Sequence, residues 1–185
     1  RTAVQLRAIL LRDGECIAWN ELEYTLLPAC AAPAPVRVRT IDEVSEDDLA
    51  AAENGEVLWI DKPAAGEYTV GPFRVQVQES GMAPMHFASA KTGHPWAEGF
   101  VQEDFRHWYS SAEDCIAPLA DCTVQAEGFA PVLQSRNLGP DGKWQSAAIL
   151  CERSYGKGRV VISQISRRQM LDNPAGCVLL SRVKA

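Results

Sequence analysis

The side chains that could carry chemistry are few and scattered. The chain has three histidines, His86, His94 and His107. None stands in a metal-ligand spacing such as H-x-x-x-H, and no cysteine lies two or three residues from another. Glu103 and Asp104 precede His107, a pattern that would suit a base held by a carboxylate. A base needs a nucleophile, and no G-x-S-x-G or G-x-C-x-G elbow occurs. Asp61 follows the apolar run VLWI. At the carboxyl end of a sheet strand an acid can hold a metal or a ribose, or cap the next turn. Tyr155-Gly156-Lys157-Gly158 lacks the G-x-x-x-x-G-K-[ST] spacing and precedes a strand-like run, so it reads as a turn and not a phosphate cradle. The densest set is Trp96, Phe105, Arg106, Trp108 and Tyr109. Flat rings stack on the C–H faces of sugars, and Arg106 would bond hydroxyls; the same density also closes a small core or an interface. No residue is assigned a catalytic, cofactor-binding or metal-binding role.

The elements that must position these residues are clearest at residues 147–165, AAILCERSYGKGRVVISQI. Alternation up to a Gly-rich turn and a β-branched run after it predict a hairpin. The run VVI is apolar on both faces, as in a strand covered on both sides. Residues 4–11 and 16–27 predict a second hairpin, turning at Asp13-Gly14. Two strands are marginal alone, so this pair must pack on something. Residues 28–35, PACAAPAP, read as a linker because three prolines stop helix and sheet alike. Residues 36–41 predict a strand. Ser45, with Asp48 three residues on, predicts a helix start; Asn54-Gly55 predicts its end; residues 57–60 predict a buried strand. Strand, helix, strand is the opening of a parallel α/β sheet. Residues 63–100 are punctuated throughout by Pro and Gly, with 73–77 as a strand. Short strands are expected at 115–119, 123–126 and 130–134, with a turn at 137–142. A C-terminal helix over 167–183 is interrupted at Pro174, where Asn173 would cap the second part.

Composition bounds the function. The 185 residues suffice for one domain plus a fragment of another, and they are 46% hydrophobic with a net charge of −6. That charge argues against a nucleic-acid partner. No apolar run reaches the roughly 20 residues of a membrane span, so no membrane partner is expected. The chain begins at Arg1 with no signal-peptide pattern, and is expected to be a piece of something longer or a processed form. The six cysteines, Cys16, Cys30, Cys115, Cys122, Cys151 and Cys177, are expected to be buried free thiols, and a cytoplasmic location is expected over a secreted one.

In order along the chain, VQLRAILLRDGECIAWNELEYTLLP, KTGHPWAEGFVQEDFRHWY, AEGFAPVLQS, the W-x-x-A run from Trp144 to Ala147, and AAILCERSYGKGRVVISQI resemble the C-terminal part of bacterial family 2 glycoside hydrolases, the β-galactosidase, β-glucuronidase and β-mannosidase group. The resemblance implies that residues 1–27 are the last hairpin of an immunoglobulin-like sandwich. It implies that residues 36–185 form an accessory α/β domain with a flavodoxin-like, three-layer fold similar to class I glutamine amidotransferases. It further implies a non-catalytic domain that packs against the barrel and sandwich domains of a β-glycosidase, supports an active-site loop or a subunit contact in a homo-oligomer, and touches a β-linked oligosaccharide at most. The (β/α)₈ barrel bearing the catalytic pair would lie elsewhere, since a barrel needs about 250 residues. An amidotransferase cysteine elbow is also missing: Gln78-Glu79-Ser80-Gly81 stands where it would fall. The alternatives are a carbohydrate-binding module using the aromatics of 96–109, and a divergent amidotransferase-like enzyme. No cofactor is implied.

Overall fold

The computed structural model describes residues 2–27, 32–33, 35–80, 85–138 and 142–184. Most of the linker, 28–35, lies outside the described residues, as do Cys30 and the centre of the 137–142 turn.

Two long strands, β1 (Thr2–Arg12) and β2 (Glu15–Leu26), form the first hairpin. Asp13 and Gly14 both take positive φ (52° and 87°), as the two-residue turn between right-twisted strands requires. The pair forms a sheet of its own.

The body is one curled, mixed sheet. Its strands are β3 (Arg37–Arg39), β4 (Val57–Asp61), β5 (Gly66–Val70), β6 (Phe73–Glu79), β9 (Cys122–Ala126), β10 (Ala130–Leu138), β11 (Trp144–Tyr155) and β12 (Gly158–Ser163). A separate two-stranded ribbon pairs β7 (Tyr109–Ser110) with β8 (Cys115–Ile116). The main path runs β3-β4-β12-β11-β9-β6-β5, with β10 also on β11. Helices are few: α1 (Glu46–Glu53), α2 (Arg167–Asp172) and α3 (Pro174–Ser181), with short 3-10 turns between.

This corrects the expectation of a flavodoxin-like α/β sandwich. Strand accounts for 48% of the chain and helix for 19%. The local reading at β3-α1-β4 is sound, because β3 and β4 do pair in parallel across α1, and β12 joins them in parallel. The class fails because that crossover is not repeated among the described residues. Tight turns join β5 to β6 and β11 to β12, and a tight turn can only make antiparallel neighbours; β10 also pairs antiparallel with β11. Residues 66–70, which read as punctuation, supply an antiparallel edge strand.

Alternation along the central strands divides the core in two. Val57, Trp59 and Val161 face one cluster, closed by Trp96, Phe105, Trp108, Leu119, Met170 and Leu179. Leu58, Ile60, Val160 and Ile162 face the other, with Phe73, Val75, Val124, Cys151 and Ala52 of α1. The β11–β12 turn is pressed against the end of α1. Lys157 donates its amide to the Glu53 carbonyl (2.8 Å) and Arg159 to that of Glu56 (3.2 Å).

The start of α1 is held as its sequence indicates. Ser45 Oγ accepts from the Asp48 amide, and the Asp48 carboxylate accepts from the Ser45 amide (3.0 Å). The same carboxylate, 1% exposed, takes Arg37 (3.3 Å) and Arg39 (3.0 Å) from β3, so one acid both caps the helix and ties it to the sheet edge. Burial works against its charge, but the Ser45 amide and hydroxyl and then Arg39 outweigh burial and hold its pKa down at about 2. A depressed acid stabilises the fold above its unfolded value near 3.8 and loses that contribution as pH falls toward about 2. Asp48→Ala is expected to cost roughly 2–3 kcal/mol at neutral pH. In Asp48→Asn, thermal midpoints measured from about pH 4 down to about pH 2 should fall less steeply than in the parent chain.

Candidate functional site

Asp61 ends β4, as expected, but its carboxylate is engaged. It accepts from the Trp59 indole Nε1 (3.0 Å) and from the Arg167 amide that opens α2 (2.9 Å). The acid therefore anchors a helix brought from a hundred residues away. The Arg167 guanidinium lies over the Trp59 ring at 5.9 Å; burial lowers its pKa and the nearby Asp61 charge opposes that.

Of the sequence-selected aromatics, Trp96, Phe105 and Trp108 are buried at 8%, 0% and 3% exposure, while Arg106 and Tyr109 face solvent. Phe105 packs edge-on to Phe100 (5.0 Å) and beside Trp108 (5.6 Å), and the Trp108 indole donates to the Asp104 carbonyl (2.8 Å). The indole faces are spent within the core. Tyr109 donates its hydroxyl to Asp114 (2.6 Å), a bond that raises its pKa, and its backbone is clamped on both sides by the Asn173 amide. Asn173 does precede Pro174 of α3, but its side chain serves this clamp in place of a cap.

The histidines separate. His107 sits at φ 52° and gives its amide to the His86 carbonyl, with the rings 6.3 Å apart. Asp104 turns back to accept from the Val101 amide (2.9 Å). His94 belongs to a cluster that the sequence reading missed. Its Nδ1 accepts from the Trp96 amide (3.2 Å), which leaves the proton on Nε2, and Nε2 meets Glu152 Oε1 at 3.1 Å. The other Glu152 oxygen takes Arg159 Nη1 at 2.6 Å, and the Arg159 guanidinium lies 5.7 Å from the Trp96 ring centre. Glu152 is 7% exposed. Its signal was available: a carboxylate within the buried strand β11 demands a partner, and alternation puts Arg159 of β12 on the same face. His94, 58 positions away, had no such signal.

Cys16, Cys115, Cys122 and Cys151 are free thiols. Cys122 and Cys151 are buried; Cys16 and Cys115 are exposed, which corrects the expectation that the thiols are interior. Burial, with Glu152 beside it, pushes Cys151 up to about 12, so it stays an inert thiol. Among the described residues, no three His, Cys, Asp or Glu side chains group as metal ligands. No described helix is long and apolar enough to cross a membrane.

Two surface features remain. The first is the β1–β2 hairpin. Register places Val4, Leu6, Ala8 and Leu10 opposite Tyr24, Leu22, Asn20 and Ala18 on one face, with Leu26 at its end beside Thr2, so the face is apolar except at Asn20 and Thr2. Leu6, Leu10, Leu22 and Leu26 are each about half exposed or more. The opposite face is polar over one half, where Gln5 meets Glu23 and Arg7 pairs with Glu21, and apolar toward the turn, where Ile9 and Trp19 are partners and both exposed, with Arg7 laid over Trp19 at 5.3 Å. The second is a groove of about 850 Å³ between β5, β6, β9 and the β10–β11 pair. The two halves of the sheet meet there at a single pair, Ala148 opposite Val124. No family model, curated protein or solved structure matches the chain.

Proposed function

We propose that this chain is an accessory, non-catalytic region of a family 2-like glycoside hydrolase, and that its β1–β2 hairpin docks the sheet face of a neighbouring immunoglobulin-like sandwich. The apolar hairpin face carries the docking role. Among the described residues the two strands pair only with each other, which leaves both edges open. A flat apolar face two strands wide, with open edges, fits a sheet that packs on it and continues it. The half of the reverse face that carries Gln5, Glu23 and the Arg7–Glu21 ion pair fits the outside of such a sandwich. The base of the hairpin is fixed to the body, because Leu27 and Val36 pack against the first core. The hydrolase context is supported by the ordered sequence pieces described above.

The complete gene product is expected to turn over at least one of a panel of aryl β-glycosides, and the 185-residue polypeptide none. Leu6→Glu with Leu22→Glu in the complete product should lower its thermal midpoint by roughly 5 °C or more, because each leucine forfeits about 1 kcal/mol or more of burial and a charge enters the interface. No turnover by the complete product, or turnover by the isolated chain, overturns the reading. An unchanged midpoint removes the docking role.

A further inference from the structure

We propose that the groove between β5–β6–β9 and β10–β11 receives an extended peptide from a neighbouring protein as a strand added to the open edge of β11, its side chains alternately apolar and uncharged polar. This goes beyond the docking role and uses no residue of the hairpin. The open edge follows from the pairing. Gln134 exchanges both backbone bonds with Ser89 (2.8 and 3.0 Å), so its amide and carbonyl point away from β11. Its partner Ala148 must likewise turn away from β10, toward Val124 of β9. Register holds from this pair to Leu138 opposite Trp144, so Ser146 and Trp144 turn the same way. By then β9 has left, because Val124–Ala148 is its one pair with β11 among the described residues. The backbone groups of Ser146 therefore face the groove with no partner among those residues. On the other bank the Ser80 amide bonds the Asp121 carbonyl (2.9 Å), next to the Glu79–Cys122 pair. Alternation along β9 from there turns the Ala126 amide away from β6, into the same groove.

An unpaired strand edge is complementary to another extended backbone, which presents donors and acceptors at the same spacing. The neighbouring side chains agree, because two cross-strand rows end at the edge of β9. Glu67, Gln76 and Gln125 stand opposite one another on one face, and Tyr68, Val75 and Ala126 on the other. A compact ligand cannot touch both rows. A strand beside β9 extends both, since its side chains leave alternately to either face. The residue beside Gln125 meets amides; the residue beside Ala126 meets an apolar surface that includes Phe129. Tyr68 and Phe129 are half-buried and already fixed, Tyr68 by donating its hydroxyl to the Ala64 carbonyl (3.0 Å) and Phe129 by meeting Phe73 edge-on at 5.3 Å. Rings so fixed lose little freedom on binding. Glu67 and Glu127 outnumber Arg74 along the lining, which disfavours an acidic peptide. At about 850 Å³ the groove has room for a short segment, and residues 144–148 of β11 match a pentapeptide in length.

The test is amide-resolved NMR titration of the 185-residue chain with the end-capped pentapeptide Thr-Val-Thr-Val-Thr. The comparison arms are its rearrangement Val-Val-Thr-Thr-Thr and two N-methylated forms, one methylated on the valine amides and one on the threonine amides. The alternating peptide should move the signals of residues 125–126 and 144–148 saturably, with Kd on the order of 1 mM. An edge strand reads one set of peptide amides, so one of the methylated forms should bind about tenfold more weakly. The rearranged peptide should bind roughly fivefold more weakly. Ser146→Pro removes a groove-facing amide that the β10 ladder does not use, and should raise Kd about tenfold; Ser146→Ala should stay within about twofold. The methylated peptides leave the protein untouched, so they decide the matter even where the proline variant unfolds. No saturable shift up to about 10 mM overturns the site. So does equal binding by the parent and both methylated forms, or equal binding by the rearranged peptide. Signals of 144–148 that broaden with chain concentration in the absence of peptide, and sharpen in Ser146→Pro, would give the edge to a second copy and overturn it as well.

Discussion

Glu152→Ala is expected to destabilise the domain by about 3 kcal/mol, a fall in thermal midpoint of roughly 6–12 °C. The carboxylate is buried and serves two donors at once, His94 Nε2 and Arg159 Nη1. Arg159 already carries one buried donor, Nε, without an acceptor. Removing Glu152 strands a second nitrogen of the same guanidinium and the imidazole N–H with it, and an unpaired buried donor costs more than its bond contributed. Glu152→Gln separates the two parts of the effect. It keeps an oxygen for His94 but gives up the charge facing Arg159, so about half the loss should remain. Urea and thermal unfolding of the two variants measure both numbers. A loss under about 1 kcal/mol in Glu152→Ala would mean that water readily replaces the carboxylate.

Gly158→Ala should cost at least as much, about 3–4 kcal/mol, for a steric reason. A Cβ at this position would run into the Glu56 and Ala52 carbonyl oxygens, both of them backbone. Neither can swing aside, because Ala52 lies in α1 and the Glu56 carbonyl accepts from the Arg159 amide. The hairpin turn must then lift from the helix end, and the β12–β4 pairing begins at the next residue, Arg159 opposite Val57. Lys157→Ala, one position away and exposed, is the control and should stay within about 0.5 kcal/mol. If Gly158→Ala matches that control in its midpoint, the close approach of turn and helix is not a constraint.

That glycine shows how far the sequence could be read. Tyr155-Gly-Lys-Gly announced a turn, and the turn is there, with Tyr155 opposite Gly158. What it could not announce was the second demand on Gly158, set by a helix a hundred residues earlier. Features written within a few residues were legible: Asp13-Gly14, the Ser45–Asp48 cap, and Asn173-Pro174 at the opening of α3. So was the β3-α1-β4 crossover. The fold class was not, because extending one crossover to a whole sheet assumes that later connections repeat it, and they are hairpins. The aromatics of 96–109 were found as a set. Whether their faces met solvent depended on which turns of an irregular backbone point inward, and no periodicity records that. In the His94–Glu152–Arg159 cluster the Glu152–Arg159 pair was legible from one hairpin, but His94 joins it from 58 positions away, and the groove opens where two parts of one sheet diverge. Neither of these leaves a local trace.

Residues 85–120 hold only the short β7–β8 ribbon, two 3-10 turns and isolated bridges, such as Met85 to Ala120 and Phe87 to Arg106, yet they send Trp96, Phe105, Trp108 and Leu119 into the core. Stretches of this outward form usually accept insertions and drift freely among relatives. Here a single inserted residue would carry a large ring out of its seat, so change should be tolerated residue by residue on the outward positions and almost nowhere in length.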